Sequence, residues 1–261
     1  MSVRSLAVTA LLASLPLGTA CAQTGTSVMP VPGDHAAHAR DIYEHVISFR
    51  TARGQAQVPA MVTYLTGELK AAGFSDDDIM VTDYDANGEP TQGLVVTYRA
   101  AGEPAARPIV LLGHMDVVDA LPEDWERPPF TLIEEDGFFF GRGTMDNKYG
   151  ITNLVSTFIR LKQEGWTPNR DLVLVFSGDE ETGMISTHAQ AQWVADNLDP
   201  AFVLNSDAGG GVIGDDGSPL FYRVQGAEKT FATFELTITN PGGHSSRPRA
   251  DNAIYELADA L

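Results

Sequence analysis

The order of apolar and polar residues along the chain predicts alternating helices and strands. Ile42, Val46 and Phe49 recur at helical spacing, whereas residues 108–112 and 172–177 form short apolar runs that suit buried strands. The predicted helices cover residues 35–51, 58–72, 148–164, 186–197 and 251–261, and the predicted strands cover residues 79–84, 94–99, 108–112, 172–177 and 202–205, with a hairpin over 130–140.

This alternation is typical of an α/β fold, here a three-layer αβα domain with a mostly parallel, mixed sheet. The succession of helices and buried strands ends near Gly226. Residues 230–239 instead alternate between apolar and polar side chains, as expected for a half-exposed strand. We therefore predict one α/β domain over residues 35–226 and the beginning of a separate α+β domain over residues 227–261.

The first residues have the pattern of a targeting segment. Arg4 precedes an apolar stretch over residues 6–17, and small residues follow at Ala20 and Ala22. This order predicts a secretory signal peptide over residues 1–22 and an exported protein, periplasmic or extracellular. Cys21 offers an alternative, lipid attachment to an N-terminal cysteine. Residues 23–34 are rich in Gly, Pro, Ser and Thr and are predicted to form a flexible leader.

Composition narrows the range of partners. The 261 residues include 17 Lys and Arg against 35 Asp and Glu, a formal net charge of −18. Such a chain is poorly suited to nucleic acid or to an anionic membrane surface, because both recruit basic residues. No other stretch approaches the roughly 18 apolar residues of a membrane span. The single cysteine excludes an internal disulfide framework and a cysteine-rich zinc site.

Polar residues that can bind metals follow the predicted strands. His114 and Asp116 come after the strand at 108–112, and Asp146 precedes the helix at 148–164. A carboxylate behind a histidine orients the ring as a metal ligand. Both groups also have an interpretation without a metal. His114 and Asp116 would then lie in a surface loop, and Asp146 would be the N-cap of the helix.

Two more acidic clusters follow later strands. Residues 179–181 are three consecutive acids, which repel one another unless a cation lies nearby, although a solvated acidic loop is the simpler alternative. Asp207 follows the strand at 202–205. Ligands of open α/β sheets bind outside the carboxyl ends of the strands, so all four clusters are expected to converge there.

The chemistry of these residues suits a hydrolytic metal centre. One histidine among carboxylates, without a thiolate, favours zinc, although Co²⁺ or Mn²⁺ would also be accepted. The four acids and one histidine exceed the needs of one ion, so a pair of metals bridged by a carboxylate fits better.

Five ordered motifs support this interpretation. Together they resemble the co-catalytic zinc metallopeptidase and amidohydrolase family that includes acetylornithine deacetylase, succinyl-diaminopimelate desuccinylase, glutamate carboxypeptidase and aminoacylase. The resemblance covers residues 40–261, and its motifs are GHMDVV at 113–118, GRGTMDNK at 141–148, SGDEETG at 177–183, NSDAGG at 205–210 and PGGHSSRP at 241–248.

The resemblance implies a ligand for each of two Zn²⁺ ions. His114 and Asp207 would bind one zinc and Glu181 the other. Asp146 would bridge them, with a cis peptide bond between Asp146 and Asn147. The substrate would be a small peptide or an N-acyl amino acid, which makes the protein a carboxypeptidase, a dipeptidase or an N-acyl-amino-acid deacylase.

The resemblance also implies catalytic roles. Glu180 would be the general base that takes a proton from a water shared by the metals, and Asp116 would support His114. His244 resembles a lid histidine that reaches the partner's active site, which implies a homodimer formed through the lid domain at residues 227–261. Residues 35–226 would then be the N-terminal part of the di-zinc catalytic domain.

One feature departs from the family pattern. The family has a further histidine ligand in a later part of the catalytic domain, and no histidine follows His244 in the sequence. We therefore expect the sequence to be C-terminally truncated and this chain alone to have an incomplete metal site. The alternative is a non-catalytic member that binds metal or interacts with a partner. A nucleotide site at residues 209–211 is disfavoured, because neither a dinucleotide fingerprint nor a P-loop is present.

Overall fold

The computed structural model describes residues 33–208, 210–230, 232–244, 246–247 and 249–261. The predicted signal peptide and the leader up to residue 32 lie outside the described residues. Among the described helices, none combines the length and the apolar character needed to cross a bilayer. The helices are α1 (Gly33–Ser48), α2 (Val58–Ala71), α3 (Lys148–Gln163), α4 (Ile185–Asn197) and α5 (Ala253–Ala260), and the strands are β1 (Ile79–Asp85), β2 (Pro90–Tyr98), β3 (Ile109–His114), β4 (Ile133–Glu135), β5 (Phe138–Phe140), β6 (Leu172–Ser177), β7 (Phe202–Asn205), β8 (Gly210–Ile213) and β9 (Pro219–Arg223).

Five strands form the central sheet in the order β1-β2-β6-β3-β7. Strands β6 and β7 flank β3 and run parallel to it, whereas β1, β2 and β6 pair antiparallel. The predicted α/β class with a mixed sheet is confirmed. Because three adjacent strands are parallel, their carboxyl ends meet at one edge of the sheet.

Both faces of the sheet centre are buried, as parallel strands require. Along β6, Leu174 and Phe176 pack in the core formed with α1, α2 and α3, whereas Val173 and Val175 pack in the smaller core beneath α4. Leu174 and Phe176 are fully buried. This two-sided burial explains why residues 172–177 are apolar without alternation, and it fixes the ends of β3 and β6 rigidly.

The positive backbone φ angles of two turns agree with the residues found there. The predicted hairpin at 130–140 is confirmed as β4 and β5, and Asp136 and Gly137 between them have φ of 51° and 82°. A two-residue turn of this type needs positive φ at both positions, which Asp-Gly tolerates well. Gly73, the predicted cap after α2, likewise has φ of 102°.

Three elements differ from the predictions. Helix α1 begins at Gly33, inside the predicted leader, because Asp34 suits the first turn of a helix. The strand predicted at 230–239 is wrong for its described residues, which have no strand pairing and, apart from the half-buried Ile238, are exposed. The hairpin of β8 and β9 was not predicted, because every residue of β9 is exposed and the segment shows no one-sided apolar pattern.

Candidate metal site at the carboxyl ends of the parallel strands

Three of the predicted metal ligands meet at this sheet edge. Nε2 of His114 lies 2.8 Å from Oδ1 of Asp146 and 3.6 Å from Oδ1 of Asp207. Each residue offers one ligand atom, and the three atoms all lie within 4.8 Å of one another. A histidine nitrogen and two carboxylate oxygens form a donor set that suits a divalent transition metal.

The fold brings these residues together from distant parts of the sequence. His114 ends β3, Asp207 follows the adjacent parallel strand β7, and Asp146 directly precedes α3. Ser206 joins these segments, because its Oγ donates a hydrogen bond to the carbonyl of Leu112 and lies 3.0 Å from Oδ1 of Asn147. The peptide bond between Asp146 and Asn147 is cis, as the resemblance implied.

The orientation of the His114 ring suits a metal ligand. The ring is buried, and its Nδ1 lies 3.0 Å from the carbonyl oxygen of Asp116 and 3.4 Å from Oδ1 of the same residue. Both neighbours are acceptors, so Nδ1 carries the proton and donates it. Nε2 faces the carboxylates of Asp146 and Asp207, the side on which a metal-bound histidine would present its lone pair to the ion.

The electrostatics of the cluster favour a positive charge. Burial lowers the pKa of His114, but the attraction of Asp116 and Asp207 outweighs burial and raises the pKa to about 11. The interaction with His114 in turn lowers the pKa of Asp207. A site that stabilises a protonated imidazole so strongly has the potential to bind a metal cation instead.

Asp116 connects the histidine to the acidic loop after β6. Its carboxylate is buried, and its two oxygens accept hydrogen bonds from the backbone N–H groups of Glu180 and Glu181, each at 3.0 Å. Burial, together with neighbouring carboxylates, raises the pKa of both Glu180 and Glu181. Asp116 therefore fixes the loop that carries the predicted general base and the predicted second ligand.

Two predicted residues lie outside the group of three ligands. Glu181 does not join His114, Asp146 and Asp207 within 4.8 Å, so its binding of a second metal remains a prediction. His244 is exposed, and its Nδ1 pairs with the hydroxyl of Ser246 at 2.8 Å. In the described part of the chain it makes no hydrogen bond or ion pair with the cluster, so its role in a partner's site also remains a prediction.

The sequence suggested that the basic residues Arg142 and Lys148 either attract substrate carboxylates or are solvated. For Lys148 both expectations are wrong, because its side chain is fully buried and its Nζ donates a hydrogen bond to the carbonyl of Phe49 at 2.5 Å. Burial lowers the pKa of Lys148 to about 7. The amphipathic helix pattern gave no signal for this, because a lysine at the first position of a helix is ordinarily exposed.

A cavity of about 260 Å³ opens beside the cluster, between the sheet and α4. His114, Glu180 and Asp207 line its polar end, and the remaining walls are largely apolar, with Val175 and Val194 among them. This shape suits a molecule with a polar group at the cluster and an apolar body beside α4.

Fold and site together define an α/β protein that presents a histidine and carboxylates for a metal at the ends of parallel strands. The chain belongs to peptidase family M20/M25/M40, whose family model matches residues 110–260. The family resemblance predicted from the motifs is thereby confirmed.

Individual relatives agree with this assignment. The chain is 37% identical over 161 residues to the N-fatty-acyl-amino acid synthase/hydrolase PM20D1 of Xenopus tropicalis, covering 59% of this chain and 31% of that protein. It is 37% identical over 156 residues to a probable succinyl-diaminopimelate desuccinylase of Staphylococcus aureus, covering 58% of this chain and 35% of that protein. The chain thus spans about a third of the length of these relatives.

A solved structure shares the fold. Human carnosine dipeptidase 1 superposes with a TM-score of 0.56 at 17% sequence identity, covering 67% of this chain and 40% of that chain.

Proposed function

We propose that the chain is the metal-binding part of a secreted, zinc-dependent hydrolase of amide bonds, acting on small peptides or N-acyl amino acids. The observation that carries the proposal is the approach of His114, Asp146 and Asp207 to within 4.8 Å, on a sheet edge shared with Glu180. Relatives named as hydrolases of N-fatty-acyl-amino acids and as desuccinylases support a reaction at an N-acyl bond.

In this proposal His114 and Asp207 would hold one Zn²⁺, Glu181 would hold a second, and Asp146 would be a ligand of both. Bound zinc would supply a Lewis acid that polarises the carbonyl and lowers the pKa of water. Glu180 accepts the proton of the attacking water and delivers it to the amine nitrogen as the C–N bond breaks. The raised pKa of Glu180 suits a group that must both accept and release a proton.

The polarity of the cavity supports a substrate preference within this class. Its apolar walls favour acyl groups or side chains with an aliphatic body over short, charged ones. For the whole protein we also propose export by the segment at 1–22 and a homodimer through residues 227–261, in which His244 contributes to the partner's site.

The proposal is tested with the metal-loaded full-length protein and a panel of dipeptides and N-acyl amino acids. Glu180→Gln should lower turnover about 10²–10⁴-fold, the usual contribution of a general acid–base group, while bound zinc measured by elemental analysis stays unchanged. Glu103→Gln is the matched control, because Glu103 lies in an exposed loop.

Two results would contradict the proposal. A full-length protein that binds zinc near stoichiometrically but hydrolyses nothing in the panel would favour the alternative, a non-catalytic metal-binding protein. Loss of zinc together with turnover in Glu180→Gln would assign Glu180 to metal binding rather than to proton transfer.

A further inference from the structure

Asp179, the first of the three consecutive acids, lies away from the metal cluster and is buried. Its side chain accepts three hydrogen bonds from the start of α4. Oδ1 accepts from the N–H of Ser186 at 2.9 Å and from the Ser186 hydroxyl at 2.5 Å, and Oδ2 accepts from the N–H of Ile185 at 2.7 Å. Among the described residues it has no cationic partner, so these donors compensate the buried charge.

Two further hydrogen bonds hold the acidic loop that contains Asp179. The backbone carbonyl of Asp179 accepts from the N–H of Met184 at 2.8 Å, and the N–H of Gly178 donates to the Ser186 hydroxyl at 3.0 Å. Gly178 packs so closely on β2 that an added Cβ would come within 3.0 Å of Thr91 and of the neighbouring backbone. The base of the loop therefore has little freedom to move.

A second carboxylate, that of Asp116, also holds the loop. The N–H groups of Glu180 and Glu181 donate to the two oxygens of Asp116, which also faces His114. The Glu180–Glu181 peptide is thus held by Asp116 next to the metal cluster and, through the preceding residue Asp179, by the start of α4. Each carboxylate uses both oxygens, which fixes the peptide's orientation as well as its position.

We propose that Asp179 is a positioning residue for Glu180 and Glu181, acting by tying their loop to the N-terminus of α4. An aspartate suits this role because the three donors at the start of α4 use both of its carboxylate oxygens as acceptors. An asparagine keeps one acceptor oxygen and turns its NH₂ group toward an N–H or O–H donor. The proposal rests on the proposed function for its catalytic consequence, but its structural basis is independent of it.

The test compares Asp179→Asn with Asp196→Asn in the metal-loaded full-length protein. Asp196 lies on the same helix and is exposed, with one hydrogen bond from Gln192. Asp179→Asn should lower kcat about 10–100-fold with little change in KM, because a displacement of about 1 Å costs up to roughly 10²-fold. Asp196→Asn should match the wild type, and Ser186→Ala should show a smaller loss than Asp179→Asn. Equal kcat values for the two Asn variants would overturn the proposal.

A double-mutant cycle separates positioning from a general loss of structure. In a Glu180→Gln background, Asp179→Asn should cost less than it does in the wild type, because one of the two groups that it positions is already disabled. Rates are compared well below the thermal transition of each variant, so that every sample is folded. Full additivity of the two losses would overturn the positioning role.

Hydrogen exchange in the metal-free chain tests the same idea without turnover. The amides of residues 180–186 should exchange faster in Asp179→Asn than in Asp196→Asn, with the rest of the sheet unchanged. Equal protection in the two variants would overturn the proposal even if hydrolysis is found. Faster local exchange together with a full-length protein that hydrolyses nothing would reject the proposed function and leave the loop tether supported.

Discussion

Strands β6 and β9 are both rich in apolar residues, yet β6 is buried and β9 is exposed. Phe176 in β6 is fully buried between neighbouring strands and helices, whereas Phe221 in β9 is 57% exposed. The difference extends to their surroundings: the described residues before 208 contain both apolar cores, and those after it contribute to neither. Apolar composition therefore does not determine burial, which requires partners on both faces of the strand.

The largest expected effect tests this contrast directly. Phe176→Ala should lower the free energy of unfolding by about 3–5 kcal/mol, because it leaves a cavity in a closed core. Phe221→Ala removes the same atoms from an exposed strand and should change the free energy by less than about 0.5 kcal/mol. Urea denaturation measures both. Similar losses for the two variants would mean that β9 is buried in solution and that the contrast is wrong.

A second pair of variants tests whether the tight packing at the start of α3 helps to position the metal ligands. A Cβ on Gly150, in the first turn of α3, would lie within 3.0 Å of side-chain atoms of Asn147 and Ser206. Gly150→Ala should destabilise the fold by about 1–3 kcal/mol and weaken zinc binding, because it displaces the neighbours of Asp146 and Asp207.

Gly67→Ala is the matched control for this substitution. Gly67 is inside α2 and has no atom within 4 Å of an added Cβ, so alanine should stabilise the helix by about 0.5–1 kcal/mol. Thermal unfolding and zinc titration measure the two effects. A neutral Gly150→Ala variant with unchanged zinc affinity would show that the start of α3 tolerates movement.

The smallest expected effect compares two ion pairs, one in each region. Asp78 accepts from the N–H and hydroxyl of Ser75 and from Arg99, at 2.8–3.0 Å. Burial raises the pKa of Asp78, but these donors lower it overall. A folded-state pKa below the unfolded value means that ionised Asp78 stabilises the fold. This contribution is present above the unfolded pKa of about 3.9 and is lost as pH falls through the folded pKa.

Asp78→Asn should therefore cost about 0.5–1 kcal/mol at pH 7, and the difference from the wild type should disappear in acid. Asp251, paired with Arg249 on the surface, should show no measurable change when replaced by asparagine, because solvent screens the pair. Urea denaturation from pH 2.5 to 7 measures both. A constant Asp78→Asn deficit across this range would contradict the assigned role of the charge.

The elements were predictable where a periodic pattern coincided with burial. Helix α3 and strand β6 match their predicted positions within one residue, because one apolar face or a continuous apolar run leaves few alternatives. The convergence of His114, Asp146 and Asp207 followed from chain order and from the rule for parallel strand ends. Residues whose role depends on distant neighbours gave no such signal.

Lys148 and Asp179 illustrate what sequence pattern does not reveal. Lys148 is buried because the carbonyl of Phe49 receives its Nζ, and Asp179 is buried because the start of α4 supplies donors. In the sequence Lys148 is a charged residue at the start of a helix and Asp179 is one of three consecutive acids after a strand, and both positions are usual for solvated side chains. Their environments arise only when separate segments pack together.

The position of β3 between two parallel partners has a consequence for folding kinetics. Each parallel pairing joins strands that are far apart in sequence, so a large loop-closure entropy opposes it until the strands meet. The antiparallel pair β1 and β2 is local and closes over a short connection. We expect the β1–β2 hairpin to form early and the pairing of β7 with β3 to form late. Zinc-binding competence would then report the final step of refolding, since Asp207 reaches His114 only when β7 is in place.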